Sequence, residues 1–292
     1  LRFIEKELYL VDRFNSIEIN DLVDTEILPC IDEVILNKLM ERIINHTINA
    51  DELIATIEKR RTMVWYEEYE QYYSALMQVA YMQKFHDRYM SGFHHTKGKD
   101  IWESYTKEYY LMDTYYRKFH VAFAKSLTDS KQMLDDNFRN VVEEVEALYK
   151  NWYLDQLAEN FTNVIQEDLA NNGEIEGINP QSGFYQRVVS SYDSKVFVII
   201  SDALRYEVAT SIAEQLKIET KSDVEMESQQ SIFPSITKFG MAALLPHRKL
   251  SVVNKGDSLS VLSDGHSTEM IDRDSILKNR NPKSVAVRYK DF

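Results

Sequence analysis

The chain has 292 residues, of which 44% are apolar and 28% charged, and its net charge at pH 7 is −13. This length suggests two domains, and the apolar and aromatic content excludes a disordered chain. No apolar run approaches the roughly 20 residues of a membrane-spanning helix, so no membrane partner is expected.

The negative charge lies in one part of the chain. Residues 191–292 contain 14 basic and 14 acidic side chains, so residues 1–190 carry the whole net charge. Nucleic acids bind mainly to Lys and Arg side chains that neutralise their phosphates. The acidic part therefore favours solvent or a basic protein partner, and chemistry on phosphates is expected in the C-terminal third.

Two features predict a cytoplasmic protein. Cys30 is the single cysteine, so no internal disulfide can form, and we expect it to be a small buried side chain. Leu1 to Val11 mix charged and apolar residues instead of forming a signal peptide.

Residues 1–175 are predicted to form a helical region, because only two glycines and one proline interrupt them before Gly173. Asn49, three residues before Glu52, predicts a capped helix over 50–91. Helical spacing resumes over 102–127 and 134–165.

The tyrosines of this region favour packing between helices, with their hydroxyls at the wet edge. A surface that stacks nucleic-acid bases needs a basic groove, whereas Glu67, Glu68 and Glu70 lie among these rings. His94 and His95 follow each other in a polar segment without a nearby carboxylate cluster, so a solvated loop is preferred to a metal site.

A linker is predicted over 176–190. Residues 171–183 contain three of the eight glycines, one of the five prolines and three asparagines, a composition typical of exposed loops. The linker separates the helical region from a second domain over 191–292.

Strands and helices alternate in this second domain. The apolar run Val196 to Ile200 predicts a strand buried on both faces, followed by a helix over 203–216. A short helix predicted over 184–190, within the linker, leads into this strand. The other predicted elements of the domain are strands over 220–228, 251–253, 259–262 and 284–289, helices over 238–245 and 272–278, and a hairpin turn over 254–257.

Asp202 lies at the carboxyl end of the predicted strand, directly before a helix. Ligands and metal ions bind at this edge of open α/β sheets. The alternative is that Asp202 only caps the helix through its backbone N–H groups.

Ser235 and Thr237 stand where a loop enters a second helix. A hydroxyl becomes an effective nucleophile when a base or a metal ion stabilises its alkoxide. Each of them could equally be a helix cap.

Ser201 to Glu207 and Pro234 to His247 together resemble the PglZ domain, a branch of the alkaline phosphatase superfamily found in bacteriophage-exclusion (BREX) systems. Ser263 to Thr268 and Arg273 add to the likeness. The resemblance implies an α plus α/β fold class, in which a helical N-terminal region precedes the first part of an alkaline-phosphatase-like α/β domain.

The family implies a metal-dependent phosphate-ester hydrolase with two divalent ions, usually zinc. By this resemblance Asp202 is a metal ligand, Thr237 is the preferred metal-bound nucleophile and Ser235 is its rival. Arg205 would bind substrate oxygens, or would instead pair with Glu207 or lie on the surface. The expected substrates are phosphodiesters of nucleic acids or nucleotides, and the expected partners are other phage-defence proteins.

Two other functions stay open: a non-catalytic scaffold of the same defence complex, and a hydrolase of signalling oligonucleotides. Superfamily sites need further Asp and His ligands after the nucleophile, and His247, Asp264 and His266 do not match them. We therefore expect the 292 residues to be part of a longer protein.

Overall fold

The computed structural model describes residues 1–128, 132–256 and 258–291. They form two compact units. The helical unit comprises residues 1–95 with 104–163, and the mixed unit comprises residues 96–103 with the chain from residue 164. The linker predicted over 176–190 lies inside the mixed unit, and the predicted domain boundary stays a prediction.

The first ten helices follow each other with little intervening chain. They are α1 Arg2–Glu7, α2 Leu10–Phe14, α3 Ile19–Leu22, α4 Cys30–Ile44, α5 Ala50–Arg60, α6 Tyr66–Tyr89, α7 Gly98–Ser104, α8 Tyr110–Ser126, α9 Gln132–Glu146 and α10 Asp155–Asn172, with π-helical turns over Tyr105–Tyr109 and Ala147–Leu154. In the described ranges, no helix combines the length and the apolar character needed to cross a membrane.

The capping prediction at Asn49 is confirmed. Its side-chain oxygen accepts a hydrogen bond from the backbone N–H of Glu52 at 2.9 Å and starts α5. The single helix predicted over 50–91 is two helices, because residues 61–65 form turns between α5 and α6.

Apolar faces of α4, α5, α6, α8 and α9 form the core of the helical unit. The tyrosines pack between these helices as predicted, and Tyr73 and Tyr153 are fully buried. The hydroxyls of these two tyrosines are not at a wet edge. Tyr73 donates to Asp32 at 2.6 Å, and Tyr153 donates to the carbonyl of Tyr109 at 2.9 Å. Burial raises the pKa of Tyr73 well above its ordinary value.

A buried ion pair joins α4 to α5. The guanidinium of Arg60 donates to both carboxylate oxygens of Asp32, at 2.8 and 2.6 Å, and both side chains are 0% exposed. Its remaining nitrogen donates to the carbonyls of Val23 and Thr25 at 3.0 and 2.7 Å. The pair therefore also holds the chain that leads from α3 towards α4.

Cys30 is buried at the start of α4, as expected. Its backbone N–H donates to the buried carboxylate of Glu5 at 2.8 Å. Burial, together with this neighbouring carboxylate, raises the pKa of the thiol to about 12.

The mixed unit continues with shorter elements. They are α11 Phe184–Arg187, α12 Tyr206–Glu219, α13 Thr237–Ala243, α14 Arg273–Arg280, 3₁₀ turns over Gln181–Gly183, Val189–Ser191 and Tyr289–Asp291, and strands β1 Leu250–Lys255, β2 Ser258–Ser263 and β3 His266–Ser267.

The three strands form an antiparallel sheet in the order β1-β2-β3. Val252 pairs with Val261, and Lys255 pairs with Ser258 across the predicted hairpin turn, of which Asp257 lies outside the described residues. Phe239 and Ala242 of α13 pack against Val261 of β2. This packing positions α13, and Thr237 is its first residue.

Three of the strand predictions are wrong. Residues 196–200, 220–228 and 284–289 form no strand in the described chain. Val196 to Ile200 run without sheet hydrogen bonds, with Phe197 73% and Ile199 90% exposed. An apolar run becomes a strand only when another strand satisfies its backbone groups, and no described segment pairs with it.

Gln230 ties down the chain around the predicted linker. Its side chain accepts from the N–H of Ile175 at 2.6 Å and donates to the carbonyl of Gly173 at 3.2 Å, while its backbone bonds to Asn179 and Gln181. Gln230 is 3% exposed. The glycine-rich stretch is therefore anchored to the mixed unit.

Candidate functional site

The segment before α12 is a turn in which one residue has an unusual backbone conformation. The helix begins at Tyr206, after Arg205 as N-cap, and not at residue 203 as predicted. Asp202 is therefore not the helix cap. Ala203 has φ +58°, in the left-handed region that L-residues other than Asn and Asp seldom adopt.

This turn places Asp202 beside Thr237, which lies 35 positions later in the chain. The hydroxyl of Thr237 donates to Oδ2 of Asp202 at 3.2 Å. The other carboxylate oxygen, Oδ1, accepts from the N–H of Ala203 at 3.1 Å. Both side chains are exposed, so an external ligand can reach this carboxylate–hydroxyl pair.

Ser235 has a different place. It is exposed, it precedes α13 by two residues, and its hydroxyl makes no hydrogen bond in the described part of the chain. The structure thus brings Thr237, and not Ser235, to Asp202. The catalytic roles assigned to the two hydroxyls stay predictions.

Two cationic side chains lie close to the pair in sequence. Arg205 is exposed and makes no ion pair within the described ranges, so it is not held by Glu207. Lys238 follows Thr237, but its ammonium donates to the carbonyl of Leu259 at 2.7 Å and pairs with Glu269 at 3.4 Å. Arg205 is therefore the better candidate for binding substrate oxygens.

The metal-ligand set at this place is small. A divalent ion accepts a carboxylate and a hydroxyl oxygen, so Asp202 and Thr237 fit two positions around one ion. However, no group of three or more His, Cys, Asp and Glu residues converges among the described residues. The two-ion site implied by the resemblance does not fit this set of residues alone.

His94 and His95 are engaged in hydrogen bonds of the helical unit. A ring nitrogen of His94 contacts the carbonyl of Ser91 at 2.5 Å, and one of His95 contacts the hydroxyl of Tyr109 at 2.9 Å. Asn160 bonds to both backbone groups of His95 at 3.0 Å. The loop is hydrogen-bonded to the unit and is not simply solvated.

Sequence reasoning missed the tight turn between β2 and β3. Asp264 and Gly265 have φ +48° and +87°, the positive values that two-residue hairpins favour. The signal that could have found it is the Asp-Gly dipeptide between alternating residues. The carboxylate of Asp264 accepts the backbone N–H groups of Arg248 and Lys249 at 3.1 and 2.9 Å.

The left-handed Ala203 gives a testable prediction. A left-handed residue with a Cβ atom costs about 1–2 kcal/mol, whereas glycine adopts this conformation freely. The relevant quantity is the opening free energy of α12, which is the free energy of its local unfolding. We expect Ala203→Gly to leave this free energy unchanged or to raise it by up to about 1 kcal/mol. Hydrogen–deuterium exchange of α12 peptides measures this.

The matched control is the same substitution at Ala209, inside α12. It should lower the opening free energy by about 1 kcal/mol, because glycine is a poor helix former. An equal loss at both positions would contradict a left-handed Ala203.

Comparison with known proteins points to one family. Residues 184–292 match the family model described as BREX system PglZ alkaline phosphatase-like domain. The chain is 31% identical over 294 residues to the alkaline phosphatase-like protein PglZ of Bacillus cereus strain H3081.97, an alignment that covers 99% of this chain and 33% of that protein.

The likeness extends through the helical region. The chain is 33% identical over 284 residues to the alkaline phosphatase-like protein BrxZ of Escherichia coli O9:H4 strain HS, covering 93% of this chain and 32% of that protein. The chain thus spans about a third of the length of the curated relatives it matches. No solved structure matches it.

Proposed function

Because the chain belongs through residues 184–292 to the PglZ family of alkaline phosphatase-like domains, we propose that it contributes to a phosphate-ester hydrolase of a bacteriophage-exclusion system. The mixed unit is the α/β part of the α plus α/β fold. The observation that carries the proposal is the hydrogen bond from Thr237 to Asp202.

Thr237 is the proposed nucleophile. Asp202 accepts the hydroxyl hydrogen bond and so fixes the position of the hydroxyl oxygen. That oxygen would attack phosphorus, the hydroxyl proton would pass to Asp202, and the ester oxygen would leave with its bonding electrons. Water would then release the phosphate from Thr237. The N–H of Ala203 holds the carboxylate in turn. Exposure of both side chains leaves room for an ester phosphate, and Arg205 supplies a guanidinium for its oxygens.

The proposal includes divalent metal ions, with zinc as the preferred ion. A bound ion would lower the pKa of an oxygen ligand and offset the negative charge of the phosphate. Asp202 and Thr237 would hold it from this chain. Two ions need more ligands than the described residues bring together.

The proposed substrates are phosphodiesters of nucleic acids or nucleotides, the class that the resemblance to the family implies. Partner proteins of the defence system are proposed to contact the acidic helical region, because its charge favours basic surfaces.

The test is hydrolysis of bis(4-nitrophenyl) phosphate by the protein in its natural full length, with and without added zinc. We expect zinc-dependent turnover that Asp202→Asn abolishes, because the amide keeps the side-chain shape but loses the charge. Asp223→Asn, an exposed carboxylate of the same unit, is the matched control and should retain activity. Equal turnover in the Asp202 variant would overturn the proposal.

A scaffold within the same defence complex is the second candidate function. The acidic helical region supports it, because its charge favours contact with basic surfaces of partner proteins. On this view Asp202→Asn would leave phage protection intact. Substitutions on the acidic surface of the helical unit would instead remove both complex assembly and protection.

A further inference from the structure

A polar cavity lies in the mixed unit. Its volume is about 270 Å³, and its lining includes Tyr185, His247, Arg248, Asp264, His266 and Arg280. Neither Asp202 nor Thr237 lines it. The cavity is therefore a different place from the carboxylate–hydroxyl pair.

The β2–β3 hairpin holds one wall of this cavity. Ser263 and His266 pair across the turn, and the carboxylate of Asp264 receives the N–H groups of Arg248 and Lys249. The N–H of Asp264 in turn donates to the carbonyl of Lys249 at 2.9 Å. These reciprocal bonds fix the segment that carries His247 and Arg248 before any ligand arrives.

The cavity has an excess of positive charge. Arg248 and Arg280 make no ion pair within residues 1–128, 132–256 and 258–291. The single carboxylate, Asp264, is engaged by backbone N–H groups, and these bonds hold its pKa below the usual range. Two guanidinium groups thus outnumber one carboxylate in a chain whose net charge is −13.

Two imidazoles add hydrogen-bonding groups. Nδ1 of His247 contacts the carbonyl of Leu245 at 2.7 Å, and a carbonyl only accepts, so Nδ1 carries the hydrogen. Nε2 of His247 then has a free position, and it donates when the ring is protonated. The ring of His266 makes no hydrogen bond among the described residues.

We propose that this cavity binds the phosphate group of a small anionic ligand. Arg248 and Arg280 provide charge and forked donors, and His247 and His266 provide further donors. A metal ion is disfavoured, because guanidinium groups repel cations and cannot ligate them. The volume of the cavity is larger than that of a phosphate ion, so Tyr185, Pro246 and Ile276 would contact the remainder of the ligand.

Isothermal titration with inorganic phosphate tests the proposal. The titration uses the full chain in metal-free buffer at one fixed pH, with sodium chloride keeping the ionic strength constant. We expect Arg280→Ala and Arg248→Ala each to weaken phosphate binding by about tenfold, because each removes a charge-assisted hydrogen bond.

Lys278→Ala is the matched control. Lys278 lies on α14 like Arg280, but its ammonium already pairs with Asp274 at 2.6 Å. Its variant should bind phosphate within about twofold of the unchanged chain, because an exposed ion pair contributes little. Circular dichroism of every variant verifies folding, and Arg280→Lys should restore part of the affinity.

Two results would overturn the proposal: no saturable phosphate binding by the unchanged chain, or equal binding by the arginine variants. The titration involves no hydrolysis and no metal ion. The phosphate-binding test with the Arg280 variant is therefore independent of the turnover test with the Asp202 variant.

Discussion

Asp32→Asn is expected to lower the free energy of unfolding of the helical unit by about 3–5 kcal/mol, because it leaves the guanidinium of Arg60 buried without a counter-charge. Both partners are 0% exposed, so water cannot replace the lost carboxylate. The hydroxyl of Tyr73 loses its ionised acceptor in the same variant. Urea denaturation followed by circular dichroism at 222 nm measures the change.

Asp24→Asn is the matched control. Asp24 also pairs with a basic residue of α5, Lys59, at 3.4 Å, but its side chain is 70% exposed. An exposed pair contributes at most about 1 kcal/mol, so this variant should unfold almost like the unchanged chain. Similar losses in the two variants would show that the contribution of the Asp32–Arg60 pair to the free energy of unfolding does not depend on its burial.

Thr237→Ala is expected to reduce turnover of the full-length protein by at least about 10³-fold, the order of effect seen when a catalytic nucleophile is removed. The variant loses the hydroxyl that donates to Asp202 and one exposed methyl group, and α13 keeps Phe239 and Ala242 in its core contact. The measurement is kcat with bis(4-nitrophenyl) phosphate and zinc. Thr237→Ser keeps a hydroxyl at the same atom position and should recover part of the rate.

Ser235→Ala separates the two candidate nucleophiles. Its hydroxyl has no bond to Asp202, so we expect kcat to stay within about threefold of the unchanged protein, a difference of less than 1 kcal/mol. A large loss in Ser235→Ala with little loss in Thr237→Ala would reverse the assignment.

Local patterns allowed a good part of the fold to be predicted. The Asn49 cap and the hairpin between β1 and β2 depend on residues a few positions apart, and both are present. The closeness of Asp202 to Thr237 was expected because the two stretches together resemble one family. Neither composition nor periodicity indicates that these side chains meet across 35 positions.

The features that were missed depend on distant partners. Asp32 and Arg60 lie 28 positions apart, and nothing in either helix pattern marks them as a buried pair. Val196 to Ile200 have the composition of a buried strand, but a strand also needs a neighbour that accepts and donates its hydrogen bonds. Asp264 lies in a stretch that resembles the family, and nothing in its local sequence indicates that its carboxylate holds a segment 15 residues earlier.

The buried Cys30 makes the chain convenient for spectroscopic labelling. Maleimides and disulfide reagents react with thiolates, and a thiol whose pKa is about 12 is almost entirely protonated at neutral pH. Its 2% exposure also keeps reagents away. A cysteine introduced on the exposed surface would therefore take up a fluorophore or spin label selectively, with Cys30 left in place to fill its position in the core.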